Sequence, residues 1–221
     1  MSIRENLLRL KQSMPPHVKL VAVSKTQAVD VIREAYDAGQ RLFGENKAQE
    51  LIAKQPGLPD DIQWHFIGHL QSNKVKYLVP FVRMIESVDS LRLLKEINKQ
   101  AGKAGRRIDC LLQFHIASEE TKFGLDPEEA RSLLSSESYQ AMKHVRICGL
   151  MGMATFTDDE NILTVEFRTL RGYFESIKND FFAHDDAFRE ISMGMSGDYE
   201  VAIREGSTIV RIGTAIFGER N

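Results

Sequence analysis

Cysteine is nearly absent. Only Cys110 and Cys148 occur among 221 residues, each inside an apolar stretch ("DCLLQF", "RICGLM"), so they read as two small buried hydrophobes and not as a disulfide or metal pair. Also missing is any block of five or six like charges, and 29 basic against 31 acidic side chains leave a formal charge of −2. Phosphate-backbone binding needs a basic face, so no nucleic-acid partner is expected. No long apolar run opens the chain either. The N-terminal MSIRENLLRLKQSM carries a charge every few positions, unlike a signal-peptide core or a membrane span, and a cytoplasmic protein without a membrane partner is the expectation. Nor is there a Walker-type loop, a G-x-S-x-G elbow or an H-E-x-x-H pair.

What is present is a regular alternation. A first helix is expected over about Ser2 to Met14, with Ser2 and Glu5 in capping-box spacing. Strand-like runs follow at "KLVAVSK" (19–25), "RLFGE" (41–45), "IQWHFIG" (62–68), "VRMIES" (82–87), "IDCLLQFHI" (108–116), "VRICGLM" (145–151), "REISMG" (189–194) and "TIVRIGT" (208–214). Between them lie segments of 3.6 period, the longest being "ENILTVEFRTLRGYFESIKNDFF" (160–182). Near-continuous apolar strands separated by helices require a parallel sheet covered on its faces. A closed (β/α)8 barrel preceded by an extra helix is the economical solution, an open doubly wound sheet the alternative. No linker or composition shift interrupts the pattern, so residues 1–221 are expected to form a single domain.

In such a barrel the site lies at the carboxyl ends of the strands. Reading those ends in order gives Lys25, Glu45 with Asn46, His69 (with His65 inside its strand), Glu86 with Ser87, His115, Met151, Ser192 to Ser196, and Arg211 with Gly213 and Thr214. Lys25 ends an apolar strand, and a desolvated lysine is a nucleophilic amine suited to a Schiff base; the bland alternative is a lysine that snorkels to solvent. Ser196, Gly197, Gly213 and Thr214 concentrate hydroxyls and small residues where barrels often hold a phosphate, although Ser196 could be a plain N-cap and Gly213 a plain turn. Arg211 shares strand parity with Ile209 and Gly213. If that parity faces inward, its guanidinium either faces a pyridine nitrogen or pairs with Glu45 or Glu86. "LMGMA" (150–154) and "SMGMS" (192–196) read as two equivalent turns near a shared ligand. A lysine for an aldehyde, a cup for a phosphate and an arginine for a ring nitrogen together describe pyridoxal 5′-phosphate (PLP).

Other constellations fit less well. His65 and His69 on one strand would stand roughly 13 Å apart, too far to share an ion. A metal-dependent hydrolase using His65, His69 and His115 is therefore the weakest reading. Lys122, in the polar "ETKFGL", is a rival lysine expected to be solvated.

"AVSKT", "FGENKAQE", "WHFIGHLQSNK", "GLMGMA", "SMGMSGDYEVAI" and "VRIGTAIFG" together resemble the PLP homeostasis protein family, which is similar to the barrel half of bacterial alanine racemase. The resemblance runs in order from about residue 20 to residue 219. It implies a TIM barrel of the alanine racemase N-terminal type, Lys25 as the covalent Schiff-base lysine, Ser196, Gly213 and Thr214 on the phosphate, Arg211 facing the pyridine nitrogen, and Asn46 beside the ring. It also implies a non-catalytic protein that buffers or delivers PLP and influences vitamin B6 and amino-acid balance. Apo PLP-dependent enzymes are the expected recipients, and a monomer or weak dimer is the expected state. Phe123 departs from the serine expected in its loop.

An arginine opposite the ring nitrogen disfavours pyridine protonation and makes the ring a poor electron sink, which leaves racemisation as the plausible alternative chemistry. Two-base racemisation needs a second acid or base on the opposite face. In alanine racemase a tyrosine from a further domain of the partner subunit supplies it. Here Tyr36, Tyr77, Tyr139, Tyr173 and Tyr199 all fall in helices or loops; Tyr199 is nearest to the site in sequence. An amino-acid racemase with a reduced active site stays as the second reading.

Overall fold

Strands buried on both faces need helices on one side and a filled interior on the other. A computed structural model of the chain describes residues 2–118 and 124–219, so Lys122 and Phe123 lie outside the described residues. Eight parallel strands, β1 (Lys19–Val23), β2 (Leu42–Glu45), β3 (Gln63–Phe66), β4 (Met84–Val88), β5 (Ile108–His115), β6 (Val145–Met153), β7 (Glu190–Ser192) and β8 (Ile209–Ile212), pair in sequence order. β8 returns to β1, with Lys19 opposite Ile209 and Ala22 opposite Ile212. The sheet is thus closed, and the open alternative falls.

Helices α1 (Ile3–Ser13), α2 (Val29–Asp37), α3 (Ala48–Lys54), α4 (Val75–Leu78), α5 (Leu91–Lys103), α6 (Pro127–Ser135), α7 (Glu137–Gln140), α8 (Glu160–Phe181), α9 (Tyr199–Arg204) and α10 (Thr214–Phe217), with 3-10 turns at Gln55–Gly57 and Ser72–Lys74, complete the described elements. α1 precedes the barrel and starts with the expected capping box: Glu5 N–H donates to the Ser2 hydroxyl, and Ser2 N–H to the Glu5 carboxylate. α8 lays Leu163, Phe167, Leu170, Phe174 and Ile177 on the barrel, each burial contributing about 2 kcal/mol. No helix among the described residues is long and apolar enough to cross a membrane. In the wall, Trp64 of β3 is buried against Phe43 of β2, ring centroids 5.8 Å apart.

Val21, Met84, Leu111, Cys148, Met151 and Ile209 pack together as an apolar plug inside the barrel. Cys148 reaches it through a bulge, because Cys110 faces Ile147 while Leu111 faces Gly149, leaving Cys148 as the extra residue on β6. Gly149 permits this, at φ 151°, where an added Cβ would lie 1.8 Å from the Glu190 carbonyl oxygen. Both cysteines are buried free thiols, and burial pushes the Cys148 thiol up to about 12. At the amino end of the strands, Glu190 pairs with Lys19 at 2.5 Å, and Asp109 with Arg146 at 2.7 Å and Arg83 at 3.3 Å.

Candidate functional site

The carboxyl ends of the strands enclose a cavity of about 540 Å³, within the usual range for small-molecule sites. Lys25, Asn46, Ser196, Arg211, Gly213 and Thr214 all line it. His69, Gln113, Met153 and Phe156 add to its wall, Phe156 standing at the mouth with 96% of its surface exposed.

The wall behind Lys25 is built from charges. Ser24 still pairs with the sheet, its N–H donating to Gly44 O at 3.0 Å, and the half-buried Lys25 follows. Thr26 then turns at φ 66°, a left-handed conformation that costs a β-branched residue roughly 1–2 kcal/mol. Its N–H donates to Glu50, and the Gln27 N–H closes the turn on Ser24 O at 3.0 Å. Lys54 holds the group together from α3, donating to Ser24 O at 2.8 Å, Glu45 at 2.8 Å and Glu50 at 2.5 Å. Those contacts use all three ammonium protons. Neither Lys54 nor Glu50 stood among the sequence candidates, although Lys54 follows Ala48 and Leu51 at i+3 spacing on the buried face of α3.

Glu45, expected at the barrel mouth, turns the other way. Gly44 faces the interior, where a Cβ would meet Val21 at 2.7 Å, so by alternation Glu45 points out under α3. Burial raises its pKa despite the bonds from Lys54 and Ser24, and its Oε2 has no partner. Asn46, next in line, brings a buried Oδ1 to the cavity region that likewise has no partner.

Beneath the cavity the barrel interior turns polar. Arg211 has the inward parity of Ile209, is 4% exposed, and donates from Nη1 to Ser192 Oγ at 2.6 Å and from Nη2 to Gly152 O at 3.0 Å. Ser192 Oγ donates to Glu86 Oε2 at 2.5 Å, while His65 Nδ1 meets Glu86 Oε1 at 2.5 Å. Glu86 Oε2 lies 3.9 Å from Arg211, so Arg211 both lines the cavity and has the acidic partner that was its bland explanation. Burial alone would raise the Glu86 carboxyl; His65, Arg211 and Ser192 together hold it below the usual range.

The two loops closing the far side differ from expectation in three details. Ser196 is not an N-cap, since Asp198 occupies that position of α9; its hydroxyl instead accepts from Gly213 N–H at 3.3 Å and ties the two loops together. Gly213 and Thr214 do not extend β8, because Gly213 caps the single turn α10 and Thr214 opens it. "LMGMA" is not a turn, since residues 150–153 continue β6; only Gly194, at φ 96°, bends. Both glycines instead meet Arg211, Gly152 O at the guanidinium and Gly194 O at the backbone N–H, 2.9 Å away. Among the described residues, the backbone N–H groups of Ser196, Gly197 and Thr214 donate to nothing in the protein. A Cβ on Gly197 would meet no atom within 4 Å. The loop bearing Thr155 to Asp158 is held by Glu166 of α8, buried and missed by sequence reasoning, which accepts from Thr155 N–H at 2.7 Å and Ser118 N–H at 3.0 Å.

The histidines of the metal reading serve separate places. His65 lies in the interior on Glu86, His69 stands at the cavity rim 3.3 Å from Asp89, and His115 ends β5 outside the cavity lining. Among the described residues, no group of three or more His, Cys, Asp or Glu side chains could hold a metal ion. Among the described residues, no tyrosine lines the cavity; Tyr199 packs beside the Gly194 turn, its Cα 3.0 Å from where a Gly194 Cβ would stand.

A family model described as "Alanine racemase, N-terminal domain" matches residues 1–221. A pyridoxal phosphate homeostasis protein of Aquifex aeolicus is 42% identical over 203 residues, covering 91% of this chain and 87% of its own. The solved structure of PipY from Synechococcus elongatus with PLP bound superposes with a TM-score of 0.88 at 38% identity, covering 98% of this chain and 100% of that one. Alanine racemase of E. faecalis shares the fold with a TM-score of 0.74 at 16% identity, over 99% of this chain and 58% of the racemase.

Proposed function

The chain belongs to the pyridoxal phosphate homeostasis proteins, within the alanine racemase N-terminal domain family, and from that premise we propose that it binds PLP and buffers or delivers it, influencing vitamin B6 and amino-acid balance. One observation carries the reading: a lysine, an unpartnered acceptor, an arginine and three unused N–H donors converge on a single cavity. When bound, PLP supplies an aldehyde that a lysine amine can capture and an aromatic ring that accepts electron density. Lys25 is the residue that would hold the aldehyde carbon, with Ser24 and Thr26 fixing its backbone. Ser196, Gly213 and Thr214, joined by the N–H of Gly197, would hold the phosphate. Arg211 would face the ring nitrogen, and Asn46 Oδ1 would accept from a donor at the ring.

We read the role as non-catalytic. A carrier needs these holding groups only, whereas proton exchange at carbon needs a second acid or base in reach of the same carbon. His69, set against Asp89 at the rim, is the group that favours the second reading, a racemase with a reduced active site. We further propose one domain over residues 1–221, a cytoplasmic location that suits two buried reduced thiols, a monomer or weak dimer, and apo PLP-dependent enzymes as recipients.

Borohydride treatment of the protein mixed with PLP, followed by peptide mapping, tests the site. The label is expected on the Lys25 peptide and is lost in Lys25→Ala; a label that persists in that variant overturns the assignment. Solvent deuterium entering the α-carbon of an amino acid at a turnover rate would favour the racemase. Transfer to an apo enzyme faster than free PLP is released would support delivery, and transfer no faster would support buffering.

A further inference from the structure

Arg211, Ser192, Glu86 and His65 form a continuous chain across the barrel interior. The strands that carry Ser192 and Glu86, β7 and β4, are not neighbours, so this contact crosses the lumen. All four side chains are buried, with exposures of 4%, 0%, 0% and 3%.

The protons in this chain can be placed by elimination. A guanidinium only donates, so Ser192 Oγ must accept from Arg211. The single hydroxyl proton of Ser192 is then left for Glu86, and Glu86 Oε2 must be an acceptor. The other carboxylate oxygen takes the contact with His65 Nδ1. Ser192 and Gly152 together account for two of the five N–H donors of Arg211, and the residue itself forms part of the cavity wall. Asp198, at the cavity rim, is the other acid whose charge Arg211 feels.

We propose that Glu86 and Ser192 are positioning residues for Arg211: Ser192 aims the guanidinium at the cavity, and the charge of Glu86 sets how positive the cavity floor is toward a bound heteroaromatic ring. This rests on the reading that PLP occupies the cavity with Arg211 against its ring. Ser192 acts by direction, because without it the guanidinium can close the 3.9 Å gap to Glu86 and leave the cavity. Glu86 acts by charge, because without it Arg211 loses the larger of its two acidic counter-charges in a site of low dielectric.

The test uses PLP-loaded wild type, Glu86→Gln and Ser192→Ala, reading the pH midpoint of the visible absorbance change, the PLP Kd and the melting temperature without PLP. Loss of a buried negative charge several ångströms away disfavours any cationic form of the bound chromophore, so Glu86→Gln should lower the midpoint by about one pH unit. Ser192→Ala keeps both charges and should raise the PLP Kd about tenfold, as for loss of one charge-assisted contact. Variants that melt as wild type and keep its midpoint and Kd would show the chain to be structural only and overturn the proposal. If Glu86→Gln does not fold, the Kd of Ser192→Ala decides. A wild type that gives no visible band with PLP refutes the underlying reading and this inference with it; a normal wild-type band with unchanged variants refutes this inference alone.

Discussion

Two wholly buried glutamates sit within a few residues of the same cavity, and the barrel treats them in opposite ways. Glu45, outside the sheet under α3, takes both its donors, Ser24 and Lys54, on Oε1, leaving Oε2 bare, and burial raises its pKa. Glu86, inside the sheet, has a partner on each oxygen and Arg211 nearby, and its carboxyl is held low against the same burial. Depth is common to both. The number and placement of donors decide the sign. The outer cluster fixes the backbone of Ser24 and Thr26 on either side of Lys25; the inner one holds the guanidinium of Arg211.

The largest expected effect comes from breaking the outer cluster. Lys54→Ala strands Glu45 and Glu50 and lets go of Ser24 O, and should cost about 3 kcal/mol in urea unfolding. Adding Glu45→Gln should recover part of it. Additive losses in the double variant would mean that the two residues do not form a unit.

An intermediate effect separates the glutamates by pH. The raised folded value of Glu45 means that its contribution is fully present below the unfolded value of about 4.3 and is lost as pH rises through the folded value. For Glu86 the folded value is lowered, so its contribution is present above about pH 4.3 and is lost as pH falls through the folded value. Relative to wild type, Glu45→Gln should therefore gain stability from acid to neutral pH, whereas Glu86→Gln should lose it. Denaturant midpoints at several pH values measure both, and slopes of the same sign would erase the distinction.

The smallest effect lies at the turn. Thr26→Gly removes left-handed strain but adds unfolded-state freedom, for a net gain of about 0.5 kcal/mol. The same substitution should loosen the backbone next to Lys25, read as slower PLP loading. Faster loading would show that the turn does not pre-set the lysine.

The eight strands were legible because each is a short apolar run bounded by helical period, whereas the choice between a closed and an open sheet rests on the pairing of β8 with β1. Two helices were not. α7 and α10 are four residues each, too short for a 3.6 period to register, and α10 is what moves Thr214 from a strand end to a helix start. The six cavity residues were reachable because strand ends in a barrel converge. Their supports were harder to read, since Lys54, Glu166 and Ser192 act through partners 30, 48 and 106 residues away in sequence, and only the folded register brings them together. The bulge at Cys148 illustrates the same limit, as it inverts the parity of β6 within the apolar run 147–151, where no polar residue marks the change of face.

Trp64 is the chain's single tryptophan. It is buried in the wall strand that also carries His65, the outer end of the chain leading to Arg211. The protein therefore holds one indole emitter, selectable by excitation beyond the absorbance of its five tyrosines, at a fixed place beside the proposed binding chamber. Its ultraviolet emission overlaps the absorbance of a bound pyridoxal chromophore, so loading and unloading should register as quenching and recovery of one fluorescent centre, with no added dye.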